Sequence, residues 1–198
     1  KPKKRLVAAW AVDDHTISAV YMAIEAGIVE GILVGDEAMI QKVCAENNFD
    51  INKFTVVNNT NELKSIAQAV EMVNAGEADI LMKGLCSTDK YMRGILNKEK
   101  GLLPPKAVLS HVCLVQNPNY HKLLAISDIA VIPAPDLKQK QAMINYVVNT
   151  AKAIGVEKPK VALITATEQM LPGMPACVEA AMLAKMSDRG QIGGCVVD

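Results

Sequence analysis

The chain has 198 residues, of which 51% are hydrophobic, 4% aromatic and 21% charged, and its 21 basic and 21 acidic side chains leave no formal net charge. That length holds one large domain or two small ones with ample core material, and the neutral balance and few aromatics exclude a basic nucleic-acid footprint or a base-stacking platform. No apolar run approaches the roughly 20 residues of a membrane-spanning helix, and five scattered cysteines without a Cys-x-x-Cys pair argue against a disulfide framework or a zinc site, so a reducing cytoplasm is the expected compartment.

After the basic lead-in Lys1 to Arg5, the continuous apolar run Leu6–Val12 predicts a strand. Asp13 offers an N-cap oxygen to a helix over Thr16–Ala26, which Gly27 stops. Ile32–Val34 predicts a second strand, Glu37–Glu46 a helix, and Phe54–Val57 a third strand. Between Asn61 and Ala75, Leu63, Ile66, Ala67, Val70 and Val73 recur at helical spacing, and Gly76 closes that helix. Asp79–Met82 and Thr88–Asn97 complete the alternation as a strand and a helix. Strands apolar on both faces, separated by amphipathic helices, predict a parallel sheet covered on both sides.

Leu102-Leu103-Pro104-Pro105 breaks this rhythm, because paired prolines oppose a helix before them and lend no amide to a ladder. A domain boundary is expected there, with domains over 1–104 and 105–198. Ala107–Val115 and Leu123–Ile126, separated by Gln116-Asn117-Pro118-Asn119, predict an antiparallel hairpin. The second domain continues with a strand at Ile129–Ile132, a helix over Leu137–Ile154, a strand at Val161–Thr165, a helix over Pro175–Lys185 and a strand at Gly194–Val197. The ten methionines, Met182 and Met186 included, are expected to fill the core.

No Gly-x-Gly-x-x-Gly follows the first strand, and there is no phosphate-binding Gly-x-x-x-x-Gly-Lys-Ser/Thr, no Gly-x-Ser-x-Gly elbow and no His pair at metal spacing. The informative segment is Asp79 to Arg93. A strand ends in Lys83-Gly84, and Ser87 or Thr88 then caps a helix whose free amides make an anion seat. Arg93 is expected on the first turns of that helix, with a planar fork that matches phosphate. The plain alternative is an ordinary cap with a solvated Lys and Arg. Ser110-His111 lies in an apolar run, where a histidine is expected to be a hydrogen-bonded structural residue, and Cys113 a small buried hydrophobe. Glu168 follows a strand and is expected either as a polar site residue or as a solvated loop carboxylate.

Several of these segments resemble the phosphate acetyl/butyryl transferase family. They are Asp79–Gly84 with Ser87-Thr88 and Arg93, Leu109–Val112, Tyr120–Leu124, Ile132–Leu137 and Lys185–Ile192 running into Val196–Asp198, in collinear order. The Tyr-His-Lys-Leu-Leu, Ala-Pro-Asp-Leu and Met-Ser-Asp-Arg-Gly-Gln-Ile segments resemble the butyryl branch more than the acetyl branch.

The resemblance implies two α/β/α domains like those of isocitrate and isopropylmalate dehydrogenases, an active site in the cleft, and a homodimer. It implies reversible transfer of a short acyl group between coenzyme A and inorganic phosphate, with no metal or redox cofactor. Arg93 is the implied catalytic residue, with Lys83, Gly84, Ser87, Thr88 and Ser110 as substrate-binding residues, to which the placement of Glu168 after a strand adds that carboxylate. An acetyl-specific enzyme and a non-catalytic coenzyme A-binding fragment are the alternative readings. The family's catalytic Ser-Arg pair and its aspartate, which deprotonates the coenzyme A thiol, are expected beyond Asp198. A polypeptide ending there is accordingly expected to lack its C-terminal part, to expose apolar surface and to be unable to turn over alone.

Overall fold

The computed structural model describes residues 2–198 and divides into two compact units between Ala107 and Val108. In the first unit, β1 (Lys4–Ala9), β2 (Val29–Gly35), β3 (Phe54–Asn58) and β4 (Ile80–Lys83) form one parallel sheet in the order β3-β2-β1-β4. Val7, in the centre, stands opposite Ile32 on one side and Leu81 on the other. Because a strand's side chains alternate, Val7 and Ala9 join Ile32 and Val34 on one face while Ala8 and Leu33 share the other.

Helices α1 (Asp14–Glu25) and α2 (Glu37–Glu46) cover the Ala8 face through Ile17, Val20, Ile40 and Cys44. Helix α3 (Glu62–Asn74) covers the other through Ile66 and Ala69, and α4 (Thr88–Ile95) lies beside it, with Tyr91 packed against that same core. Burial on both faces is what makes the strands continuous apolar runs. The chain crosses from one face to the other between β3 and β4. The sheet order therefore reverses between β1 and β4, the place where open α/β sheets admit ligands at their carboxyl ends.

The expected strand Leu6–Val12 stops at Ala9. Trp10 adopts a left-handed backbone with φ of 57° and ends the ladder, although the Ala11 amide still reaches the Val34 carbonyl at 3.0 Å. Asp13 caps α1 as expected, its carboxylate accepting from the Thr16 amide at 3.0 Å.

In the second unit, β5 (Cys113–Val115) and β6 (Leu124–Ile126) pair antiparallel as the hairpin predicted. Helix α5 (Leu137–Ala153) starts in a capping box made by Asp136 and Gln139. β7 (Lys160–Val161) pairs parallel with β8 (Val196–Val197), and α6 (Pro175–Asp188) packs Leu183 into a core with Ile144, Val148, Ile192 and Val197.

Most of the strands expected in this unit are shorter or absent, β8 covering only the last two residues of Gly194–Val197. Of Ala107–Val115 only the last three residues pair, and Ile129–Ile132 forms no ladder because the Asp128 carboxylate takes the amides of Ala130 and Val131 into a turn, each at 2.8 Å. Beyond Val161 the backbone alternates between half-buried and exposed residues through Thr167, but its pairing ends where the Leu163 amide meets the Asp198 carbonyl. The methionines also depart from the expectation. Met186 packs against the core, whereas Met22, Met39, Met170 and Met182 are exposed. The architecture is mixed α/β, mainly parallel, with one antiparallel pair.

Candidate functional site

The β4–α4 connection is built around Gly84. Its amide donates to the Ala9 carbonyl at 2.9 Å, and the Leu85 amide donates to Trp10 at the same distance, so the loop lies flat against the end of β1. A Cβ on Gly84 would sit 2.4 Å from the Trp10 carbonyl oxygen and 2.6 Å from that of Ala9. Only glycine permits this approach.

The loop delivers Ser87 as the α4 N-cap, its hydroxyl accepting from the Lys90 amide at 3.3 Å. Among the described residues no protein acceptor meets the amides of Thr88 or Asp89, as expected for a first turn. Those two N–H groups, with the positive end of the helix dipole, can receive an anion. The exposed Lys83 ammonium reaches back toward the Gly84 carbonyl at 3.5 Å. Lys90 is committed elsewhere, paired with Glu62 of α3.

Arg93 lies in the last turn of this eight-residue helix rather than in its first turns. Its Nε pairs with Asp89, four residues earlier, at 3.1 Å, and the side chain is 79% exposed. An exposed i,i+4 pair of this kind is weak and exchangeable, worth about 0.3–0.5 kcal/mol. Tyr91 is fixed from below, its hydroxyl donating to the Leu81 carbonyl at 3.2 Å, and burial pushes its phenol up to about 12. Burial likewise raises the Cys86 thiol, so that cysteine in the loop is not a ready thiolate.

Ser110 belongs to the second unit. Its hydroxyl donates to the Asp128 carboxylate at 2.9 Å, beside the His111 amide at 3.0 Å on the same oxygen. Partial burial pulls the Asp128 carboxyl up, but the amides of Ala130, Val131 and His111 and the Ser110 hydroxyl outweigh it and hold the group below the usual carboxylate range. Sequence reasoning passed over Asp128. Its one signal is an aspartate following Ser127 at the end of the apolar run Leu123–Ile126, where Asx turns form. The His111 ring is not hydrogen-bonded in the expected way, since Nδ1 is buried and meets no partner among the described residues.

Glu168 lines an open cavity of about 670 Å³ in the same unit, together with Thr165, Thr167, Cys177, Ala181 and Asp198. Ser110 is not among the residues lining it. The predicted residues thus fall into three places: Lys83, Gly84, Ser87, Thr88 and Arg93 on one turn and helix, Ser110 with Asp128, and Glu168 on its cavity. Among the described residues no helix is long and apolar enough to cross a membrane.

A parallel sheet whose order reverses beside a glycine turn and a capped helix defines an open-sheet α/β protein. The chain belongs to the Phosphate acetyl/butaryl transferase family, whose profile matches residues 59–198. It is 44% identical over all 198 residues to a phosphate butyryltransferase of Clostridium acetobutylicum, and 38% identical over 195 residues to a phosphate acetyltransferase of Thermotoga maritima. It spans 65% of the length of the first and 66% of the second. Among solved structures, a branched-chain phosphotransacylase from Enterococcus faecalis V583 superposes with a TM-score of 0.82 at 25% identity, over 98% of this chain and 67% of that one.

Proposed function

We propose that the protein moves a short, butyryl-like acyl group between coenzyme A and inorganic phosphate, acyl-CoA + phosphate = acyl phosphate + CoA. In the forward direction a phosphate oxygen attacks the thioester carbonyl, a C–O bond forms as the C–S bond breaks, and coenzyme A leaves as a thiolate that takes up a proton. The observation that carries this reading is the β4–α4 turn of a family member. Two unpaired amides lie there, Lys83 precedes them and Arg93 follows on the same short helix, donors of the sign that phosphate requires.

In this scheme Arg93 leaves Asp89 to clamp phosphate, while Gly84, Ser87 and Thr88 shape the seat and Lys83 adds charge. Fixed donors of this kind stabilise the charge that develops on the transferring group. Ser110 and Glu168 serve the acyl-CoA or phosphate from the second unit. Coenzyme A is the substrate, and no resident cofactor or metal is part of the scheme. The dehydrogenase-like two-domain fold, a homodimer and a cytoplasmic setting, which the five free cysteines suit, belong to the same proposal.

An acetyl preference is the second reading, favoured by the identity to the Thermotoga maritima acetyltransferase. The two acyl groups differ by two methylenes, each worth about 1–3 kcal/mol in a pocket, so pocket volume sets the preference. Phosphate-dependent release of free thiol from acetyl-, propionyl- and butyryl-CoA by the full-length protein decides between them. The highest kcat/KM is expected with butyryl-CoA, and the highest with acetyl-CoA supports the second reading. No release from any of the three overturns both and leaves a coenzyme A-binding module.

A further inference from the structure

The contacts around Ser110 constrain where its single proton lies. Asp128 receives four donors: the Ala130 and Val131 amides on one oxygen, and the His111 amide and Ser110 hydroxyl on the other, all between 2.8 and 3.0 Å. An ionised carboxylate only accepts hydrogen bonds. The Ser110 proton is therefore spent on Asp128. Ser127 Oγ lies 3.3 Å from Ser110 Oγ, and with that proton spent, Ser127 is the donor in this contact. One lone pair of Ser110 remains, on a residue that is only half-buried.

We propose that Asp128 is a positioning residue for Ser110, holding its hydroxyl proton so that Ser110 meets the ligand as a hydrogen-bond acceptor rather than as a donor to an anion. The inference rests on the reading that the chain binds coenzyme A and phosphate. It changes the part Ser110 plays there. A serine whose proton points at a carboxylate cannot also give that proton to a phosphate oxygen, and the Asp128 charge beside it repels a fully ionised anion. The complementary ligand group carries an N–H or O–H. Coenzyme A offers such groups in the amides and hydroxyl of its pantetheine arm, and inorganic phosphate in the P–OH of the hydrogen phosphate ion. The same carboxylate ties residues 110 and 111 to residues 128 to 131, so the hydroxyl is presented from a braced backbone even though neither segment belongs to a long ladder.

The test is a double-mutant cycle on the intact chain, with coenzyme A and inorganic phosphate titrated separately by calorimetry and thermal unfolding recorded for every variant. Ser110→Ala is expected to weaken one of the two ligands about tenfold, the loss of one hydrogen bond of about 1.4 kcal/mol, and that arm identifies the donor. Asp128→Asn is expected to weaken the same ligand by a similar factor, and the double variant to lose nothing more. Losses that multiply to about 100-fold overturn the inference, because the two residues then act separately. So does an unchanged affinity for both ligands in Ser110→Ala, or a wild-type chain that binds neither. Should Asp128→Asn fail to fold, Ser110→Thr decides. A threonine keeps the hydroxyl and is expected to restore the affinity lost in Ser110→Ala, and failure to restore it sinks the proposal. A wild-type protein that binds both ligands but releases no thiol defeats the proposed reaction and leaves this inference standing.

Discussion

Gly84 and Trp10 meet at the point where the order of the parallel sheet reverses: the Gly84 amide bonds to Ala9, the next amide bonds to Trp10, and a side chain on Gly84 would stand 2.4 Å from the Trp10 carbonyl oxygen. This contact sets how the β4–α4 turn leaves the sheet, and with it the direction of the first amides of α4.

Gly84→Ala is therefore expected to destabilise the fold by about 1–3 kcal/mol, the usual cost of forcing extra volume into a closed space. The obstruction is backbone, which cannot rotate aside. A urea midpoint unchanged from wild type would show that the turn can move away from β1 at no cost. Phosphate affinity should fall as well, because the Thr88 and Asp89 amides move with the turn.

Arg93 is exposed and, among the described residues, paired only with Asp89, so its removal should leave stability within about 0.5 kcal/mol while phosphate binding weakens roughly 10- to 100-fold. Asp89→Asn makes the complementary case. If Arg93 has to leave Asp89 to hold phosphate, releasing it in advance should tighten phosphate binding about twofold. Weaker binding in Asp89→Asn would indicate that the carboxylate positions the guanidinium instead of competing for it. Calorimetric titration with inorganic phosphate reads both variants.

Asp79 anchors the start of β4 to β1. Its carboxylate accepts the Arg5 amide at 2.9 Å and the Arg5 guanidinium at 3.2 Å, with Lys4 at 3.5 Å, and these bonds lower its pKa from 3.8 to about 2. A carboxyl lowered on folding contributes stability above its unfolded value and loses it as pH falls through the folded value. The stability gap between wild type and Asp79→Asn should be constant above pH ~5 and close between pH ~4 and ~2. Denaturant midpoints measured across that range check it, and a gap that persists at pH 2 would place the effect in packing.

The five cysteines differ sharply in access. Cys44, Cys86, Cys177 and Cys195 are buried, and burial raises the thiols of Cys44 and Cys86, whereas Cys113 on the short strand β5 is half-buried. Iodoacetamide at mild alkaline pH should modify Cys113 first, with the other four reacting at comparable rates only after denaturant is added. Peptide mass spectrometry gives the order directly, and prior labelling of any buried cysteine would contradict it.

Much of this protein was legible from its residues alone. The first unit could be read almost element by element, because its strands are apolar on both faces, its helices carry a clear buried stripe, and residues such as Asp13 and Gly27 mark helix ends by local hydrogen bonding and backbone freedom. The glycine turn, the capped helix and the antiparallel hairpin were visible for the same reason: each depends on neighbours within a few positions. Tertiary structure decided the rest. Trp10 cuts β1 short by a left-handed turn, Ile129–Ile132 loses its ladder to the Asp128 carboxylate, and Arg93 sits in the last turn of α4 beside Asp89. Above all, the bond between Ser110 and Asp128 spans 18 positions. No periodicity or local propensity encodes a contact of that kind, which exists only once two separate loops have been packed side by side.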